Sequence, residues 1–165
     1  MNKPLKIAVI GAGYMGQNHI KIFSSIGDVE LIAVCDIDKV KTNILAKQYK
    51  LLQFENYEDL LKATDIDAVS ICLPTNLHFE SASYFIKKSL PIFLEKPIST
   101  KVSEAKKIVS LAKKYKTPVM IGHIERFNPV VNEIKQRIAS GELGNIFKLH
   151  TQRLSPPRIE DQNVS

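Results

Sequence analysis

Leu5-Lys6-Ile7-Ala8-Val9-Ile10-Gly11-Ala12-Gly13-Tyr14-Met15-Gly16 is the stretch that decides the fold. Its first half is a short apolar run rich in β-branched residues and ended by glycine, which reads as a strand. From Tyr14 onward the apolar residues Met15, Ile20, Phe23 and Ile26 recur at helical spacing and predict a helix over 14–26. Between strand and helix lies G-x-G-x-x-G. That pattern is weak alone and acquires meaning in this context. Gly11 permits the tight turn, Gly13 lets a pyrophosphate approach the backbone, and Gly16 lets the helix pack close to the strand. The amides at the helix start, near Tyr14 and Met15, face such phosphates and carry the positive end of the helix dipole. The competing reading is a tight strand–helix turn that holds no ligand.

The next strand, Leu31–Cys35, is followed by Asp36, twenty residues beyond Gly16. A carboxylate at that place accepts hydrogen bonds from both ribose hydroxyls of an adenosine half and repels a 2′-phosphate. Ile37 follows it, with no Arg to compensate, so the pattern favours NAD over NADP.

Working outward, strand-like and helix-like segments alternate. Asp38 caps a helix over 39–49, 51–54 is a brief strand, and Asn56 caps a helix over 57–62. Ala68–Leu73 is a fourth strand, a helix opens at Thr75 or Asn76 and runs to about Ser89, and Pro91–Leu94 is a fifth strand. A helix over 102–116 and a sixth strand, 119–121, complete the series. This rhythm predicts an α/β fold: a doubly wound parallel sheet with helices on both faces. After Gly122 the character changes. Pro129–Ser140 is an amphipathic helix with Gly141 at its C-cap, and Ile146–Arg153 alternates as a half-buried antiparallel strand would. One helix and one strand cannot form a core. The expected organisation is a dinucleotide-binding domain over 1–122 and, over 123–165, the incomplete beginning of an α+β second domain.

Composition excludes several function classes. The net charge of +6 comes largely from lysine pairs such as Lys87-Lys88, Lys106-Lys107 and Lys113-Lys114 on helical segments, as solvated faces show. There is no Trp and no Arg cluster with interleaved aromatics, so nucleic acid is not expected as a partner. The balance suits an anionic small ligand such as a dinucleotide or nucleotide sugar. Cys35 and Cys72 lie in apolar runs without metal spacing, which predicts buried thiols, no metal and a reducing compartment. No signal peptide and no run near membrane-spanning length is found, so the expected location is the cytoplasm, away from membranes.

In a doubly wound sheet, ligands bind at the carboxyl ends of the strands. After the fourth strand stands Pro74-Thr75-Asn76-Leu77-His78. Thr75 and Asn76 are either helix caps or site residues, and His78 is either at the site or on the surface. After the fifth stands Glu95-Lys96-Pro97, where Lys96 is either a surface lysine or a group that donates a proton to, or polarises, a substrate oxygen. After the sixth stand His123, Arg126 and Asn128, either hinge and cap residues or part of a site.

These segments, from Gly11–Gly16 and Asp36 through Pro74–His78, Glu95-Lys96-Pro97 and Gly122-His123, together resemble the glucose–fructose oxidoreductase / inositol dehydrogenase / MocA family. Gly122–Pro129 and Pro156-Pro157-Arg158-Ile159 look like its UDP-N-acetylglucosamine 3-dehydrogenase branch. The resemblance implies an NAD-dependent oxidoreductase that oxidises a sugar or nucleotide-sugar hydroxyl, in that branch the 3-hydroxyl of a UDP-N-acetylhexosamine. It makes Lys96 and His123 the catalytic residues and adds Arg126 to them as substrate contacts. It makes Pro74, Thr75 and Asn76 the lining of the nicotinamide ribose, with Leu73, His78, Glu95 and Lys96 among the cofactor contacts as Ile37 is beside Asp36. It also implies a homo-oligomer for the complete protein, assembled through the second domain. Two other readings of the chain stay open here: a non-catalytic NAD-binding module, and a truncated remnant.

Overall fold

A computed structural model describes residues 3–152 and 154. Backbone packing divides the chain into Met1–His123 and Ile124–Ser165, a boundary one residue beyond that read from the sequence.

The first unit alternates strand and helix throughout. In order it runs β1 (Leu5–Ile10), α1 (Tyr14–Phe23), β2 (Val29–Cys35), α2 (Lys39–Tyr49), β3 (Leu52–Phe54), α3 (Tyr57–Ala63), β4 (Ala68–Ile71), α4 (His78–Lys87), β5 (Ile92–Leu94), α5 (Val102–Tyr115) and β6 (Val119–Ile121). The strands form one sheet in the order β3-β2-β1-β4-β5-β6, every pairing parallel. Ile7 to Ile10 are all buried because β1 is central and covered on both faces. The period of two then sorts its side chains. Ala8 and Ile10 join Leu60, Phe85, Ile86 and Ile108 of α3, α4 and α5 in one core, and Val9 joins Ile20 and Leu45 of α1 and α2 in the other.

Local chemistry sets the helix ends. Asp38 accepts from the amides of Val40 and Lys41 at the start of α2, and Asn56 from those of Glu58 and Asp59 at the start of α3. α1 stops at Phe23, short of the expected Ile26, where Ser24 and Ser25 turn their hydroxyls back onto the carbonyls of Ile20 and Ile22. The helix expected from Thr75 or Asn76 opens as a 3-10 turn, Thr75–Leu77, and becomes α-helical at His78.

The second unit contains a 3-10 turn, Ile124–Phe127, and α6 (Pro129–Ala139), with Asn128 capping the amide of Val130 and Pro129 in the first turn. The strand expected over Ile146–Arg153 is a correction. Residues 146–152 have no strand pairing, and Phe147 is 95% exposed. A strand exists by pairing, and the described residues of this unit include no other strand to receive it. Arg153 and the Pro156-Pro157-Arg158-Ile159 segment lie outside the described residues.

Two outcomes follow from the packed cores. Phe85, fully buried between Tyr57 and Tyr84, anchors the larger one. Phe85→Ala is expected to lower unfolding stability by about 3–5 kcal/mol, read from the urea midpoint; a loss below about 1 kcal/mol would mean that this face is not close-packed. Both thiols are buried. Burial first, then the carboxylates of Asp36 and Asp59, pushes Cys35 up to about 12, and burial outweighs a hydrogen bond from Ser70 to push Cys72 up to about 12 as well. Both are then protonated when folded but ionise near 9 when unfolded, so the unfolded chain binds fewer protons above that pH. Stability should therefore fall as pH rises from about 9 toward 12. Iodoacetamide at pH near 8 should label neither cysteine until denaturant is added; rapid labelling of the folded chain would contradict the burial.

Candidate functional site

Parallel pairing brings the loops of five strands to one edge. The backbone ladder continues past the strand ends there. Asp36 N–H donates to the Phe54 carbonyl at 3.0 Å, Gly11 to Cys35 at 2.7 Å, Cys72 to Ile10 at 2.7 Å, Glu95 to Ile71 at 3.0 Å and Gly122 to Leu94 at 2.8 Å. The sequence-predicted residues from Gly11 to His123 thus leave the sheet along one row.

The glycine loop occupies the middle of that row. Gly11 has φ +101°, and a Cβ there would lie 2.6 Å from the Cys72 carbonyl oxygen, so both the turn and the approach to β4 require glycine. A Cβ on Gly16 would overlap the Gly11 carbonyl oxygen, which makes Gly16 the contact where α1 meets the loop. Gly13 differs from both. Added Cβ atoms would meet nothing within 4 Å, and Gly13 stands at the N-cap of α1, where no side chain caps the helix. This is the cradle a pyrophosphate needs: open space over a helix start whose amides no capping side chain takes. Tyr14 is exposed and Met15 half-buried beside it.

Asp36 is tied into the loop. Its Oδ2 accepts from Ala12 N–H at 2.6 Å and its Oδ1 from Asp38 N–H at 2.9 Å. A carboxylate oxygen carries two lone pairs, so each keeps one acceptor direction for a ribose hydroxyl. Ile37 is 88% exposed at its side.

The other half of the row holds Leu73, Pro74, Thr75 and Asn76 after β4 and Glu95 and Lys96 after β5. Pro74, Asn76 and Lys96 are exposed, Leu73 and Thr75 half-buried, and the Lys96–Pro97 peptide is cis. The 3-10 turn that opens at Thr75 has Pro74 at its N-cap and no side-chain capping bond there. His123 is exposed at the end of the first unit. Arg126 belongs to the second unit, where it is exposed.

Two residues differ from the sequence reading. His78 is neither a surface residue nor open to a ligand: it is 1% exposed, with Nδ1 2.8 Å from the Pro97 carbonyl oxygen and Nε2 2.9 Å from that of Leu73. It ties the loop after β4 to the loop after β5. Glu95 is turned inward and is 5% exposed. Its Oε2 accepts from Lys96 N–H at 3.1 Å, and its Oε1 lies 3.1 Å from His19 Nε2. His19, on α1, was not singled out by sequence reasoning. Its signal is faint: a polar residue one turn beyond Met15, next to the inward-facing Ile20.

Among the described residues, no group of three or more His, Cys, Asp or Glu side chains is arranged to hold a metal ion, and no helix is long and apolar enough to cross a membrane.

With this geometry in view, residues 5–123 match the family described as the oxidoreductase family with an NAD-binding Rossmann fold. The rhizopine catabolism protein MocA of Rhizobium meliloti is 32% identical over 143 residues, which cover 86% of this chain and 44% of that protein. The myo-inositol 2-dehydrogenase of Lactobacillus plantarum superposes with a TM-score of 0.82 at 27% identity, over 87% of this chain and 43% of its own. The WlbA dehydrogenase of Bordetella pertussis, solved with NADH and UDP-GlcNAcA, superposes equally well, with a TM-score of 0.82 over 86% of this chain and 44% of its own, but at 22% identity it speaks for the fold alone. The chain thus spans less than half the length of each of these proteins. A glycine cradle, an acid at the end of the second strand and a match over most of the chain place it in the Gfo/Idh/MocA oxidoreductase family, whose NAD-binding Rossmann domain it carries.

Proposed function

We propose that this chain is the cofactor-binding part of an NAD-dependent dehydrogenase that oxidises a secondary hydroxyl of a sugar or nucleotide sugar, and, by resemblance to one branch of the family, the 3-hydroxyl of a UDP-N-acetylhexosamine. The observation that carries the proposal is the pairing of the open Gly13 cradle with Asp36, joined by the 2.6 Å bond from Ala12 N–H. One element receives a pyrophosphate and the other a ribose diol, and the bond holds them in fixed relation. NAD supplies the hydride acceptor when bound.

The protein groups have separable tasks. The amides at the start of α1, around Tyr14 and Met15, receive the phosphates. Asp36 receives the two adenosine ribose hydroxyls, and Ile37 offers an apolar surface beside them. Pro74, Thr75 and Asn76 line the nicotinamide ribose, and Leu73 is a further cofactor contact. Lys96, exposed at the end of β5, assists proton transfer at the reacting hydroxyl. Glu95 fixes the backbone at Lys96 through the 3.1 Å bond to its amide. His123, at the end of the first unit, is a substrate contact. His78 acts one step back, by joining the two loops that carry these groups.

The test is calorimetric titration of the chain with NAD beside NADP. NAD is expected to bind clearly tighter. Asp36→Asn removes the charge but keeps an acceptor, so it should weaken NAD by about tenfold and narrow the gap to NADP, because the repulsion of a 2′-phosphate goes with the charge. Tighter NADP binding by the unaltered chain would refute the assignment of Asp36, and binding of neither would refute the cradle.

A further inference from the structure

We infer that His19 is a positioning residue for the nicotinamide half of the cofactor site, acting through Glu95. This rests on the cofactor assignment above and goes beyond it, since nothing in that assignment requires a residue buried beneath the site.

Four buried or half-buried polar side chains form one chain of contacts. His19 Nδ1 is 2.7 Å from Ser70 Oγ and 3.3 Å from Cys72 Sγ, and its Nε2 is 3.1 Å from Glu95 Oε1. The ring packs edge-on against Phe23 of α1 and Phe93 of β5, with centroids 5.9 and 5.3 Å away. With a proton on Nε2 the imidazole donates to the Glu95 carboxylate, and Nδ1 shares a hydrogen bond with the Ser70 hydroxyl. Cys72, kept as a thiol by burial, adds a weak donor at the same end.

The order Glu–His–Ser is that of a hydrolase triad, but the location excludes that chemistry. Ser70 lies within β4, between β1 and β5, and is fully buried, so no substrate reaches its oxygen. The network therefore acts on what Glu95 touches. One carboxylate oxygen holds Lys96 N–H. The whole carboxylate also lies against Gly122, where a Cβ would come within 3.2–3.3 Å of Oε1, Cδ and Oε2. Glu95 is thus the pad on which the loops after β5 and β6 both rest. A buried carboxylate keeps that orientation only while donors hold it. His19 is its side-chain donor, reaching across from the helix that begins at the phosphate cradle.

The nicotinamide half of a dinucleotide lies over the half of the sheet formed by β4, β5 and β6, and the adenosine half over β1, β2 and β3. Loss of the His19 bond should therefore affect one end of the cofactor and not the other. ADP-ribose, which lacks the nicotinamide, separates the two. In His19→Leu, which fills similar space without a donor, NAD affinity is expected to fall about tenfold while ADP-ribose stays within about twofold. In His19→Gln, whose amide reaches Glu95 as a donor, NAD affinity should return to within about threefold of the unaltered chain. Ser70→Ala, which frees the ring but spares its packing, should weaken NAD selectively in the same direction and gives the same reading should the leucine variant fail to fold. Equal losses for NAD and ADP-ribose would overturn the inference, because they would mark a packing role in α1. So would unchanged NAD binding, or a glutamine variant no better than leucine. An unaltered chain that binds neither ligand would instead overturn the cofactor assignment, and this inference with it.

Discussion

The amides of Gly11, Cys72, Glu95 and Gly122 each donate to the last or nearly last carbonyl of a neighbouring strand, and the rest of the structure depends on that row of bonds. Parallel strands all present their carboxyl ends on one side, so the row converts four loops separated in sequence into one continuous edge. At about 4.8 Å per strand, Asp36 at the end of β2 and Glu95 at the end of β5 stand three steps, roughly 14 Å, apart. A slip of one residue in any pairing would turn the strand's side chains to the opposite face and shift its loop out of line. The two cores prevent such a slip. Val9 fits only the side of α1 and α2, and Ala8 and Ile10 only the side of α3, α4 and α5.

That constraint also explains why glycine is needed at particular places and what it does there. Gly11 and Gly16 are glycines because the loop, β4 and α1 approach more closely than a Cβ allows. Gly13 is under no such pressure from the protein, so the space above it is available to something else. Two of the three glycines are accounted for by close approach within the fold, and the third leaves open space over the start of α1, of the kind a pyrophosphate occupies. The motif is therefore a structural device and a binding device at once, and the structure separates the two.

Much of this was legible in the sequence. The six strands, the alternating helices and the strand–loop–helix setting of Gly11–Gly16 follow from periodicity and from glycine placement, both local properties. Asp36 was legible for the same reason, as the residue just after an apolar run. What was hidden is the direction of side chains at strand ends. Glu95 and Lys96 are adjacent and both polar, yet one is buried and the other exposed, and the side chain that the buried one meets, His19, is 76 residues away from Glu95. His78 is buried because two carbonyls from different loops converge on its ring, a circumstance that no local pattern records. The alternation in 146–153 failed in the other direction: it carries the period of a strand, but a period is realised only where a neighbouring strand exists to pair with it.

The sheet order gives the two acids a common meaning. In a doubly wound sheet β1-β2-β3 and β4-β5-β6 are equivalent halves, so β2 and β5 occupy matching places. Asp36 follows directly on β2 and Glu95 directly on β5, each held by backbone amides: those of Ala12 and Asp38 for the first, that of Lys96 for the second. They then diverge. Among the described residues Asp36 accepts from backbone amides and keeps a lone pair on each oxygen, whereas Glu95 faces inward to His19 and its neighbour Lys96 is the exposed one. The same position in the two halves thus meets different surroundings: in one the carboxylate stays at the site edge with acceptor directions open, and in the other it is buried beneath an exposed lysine.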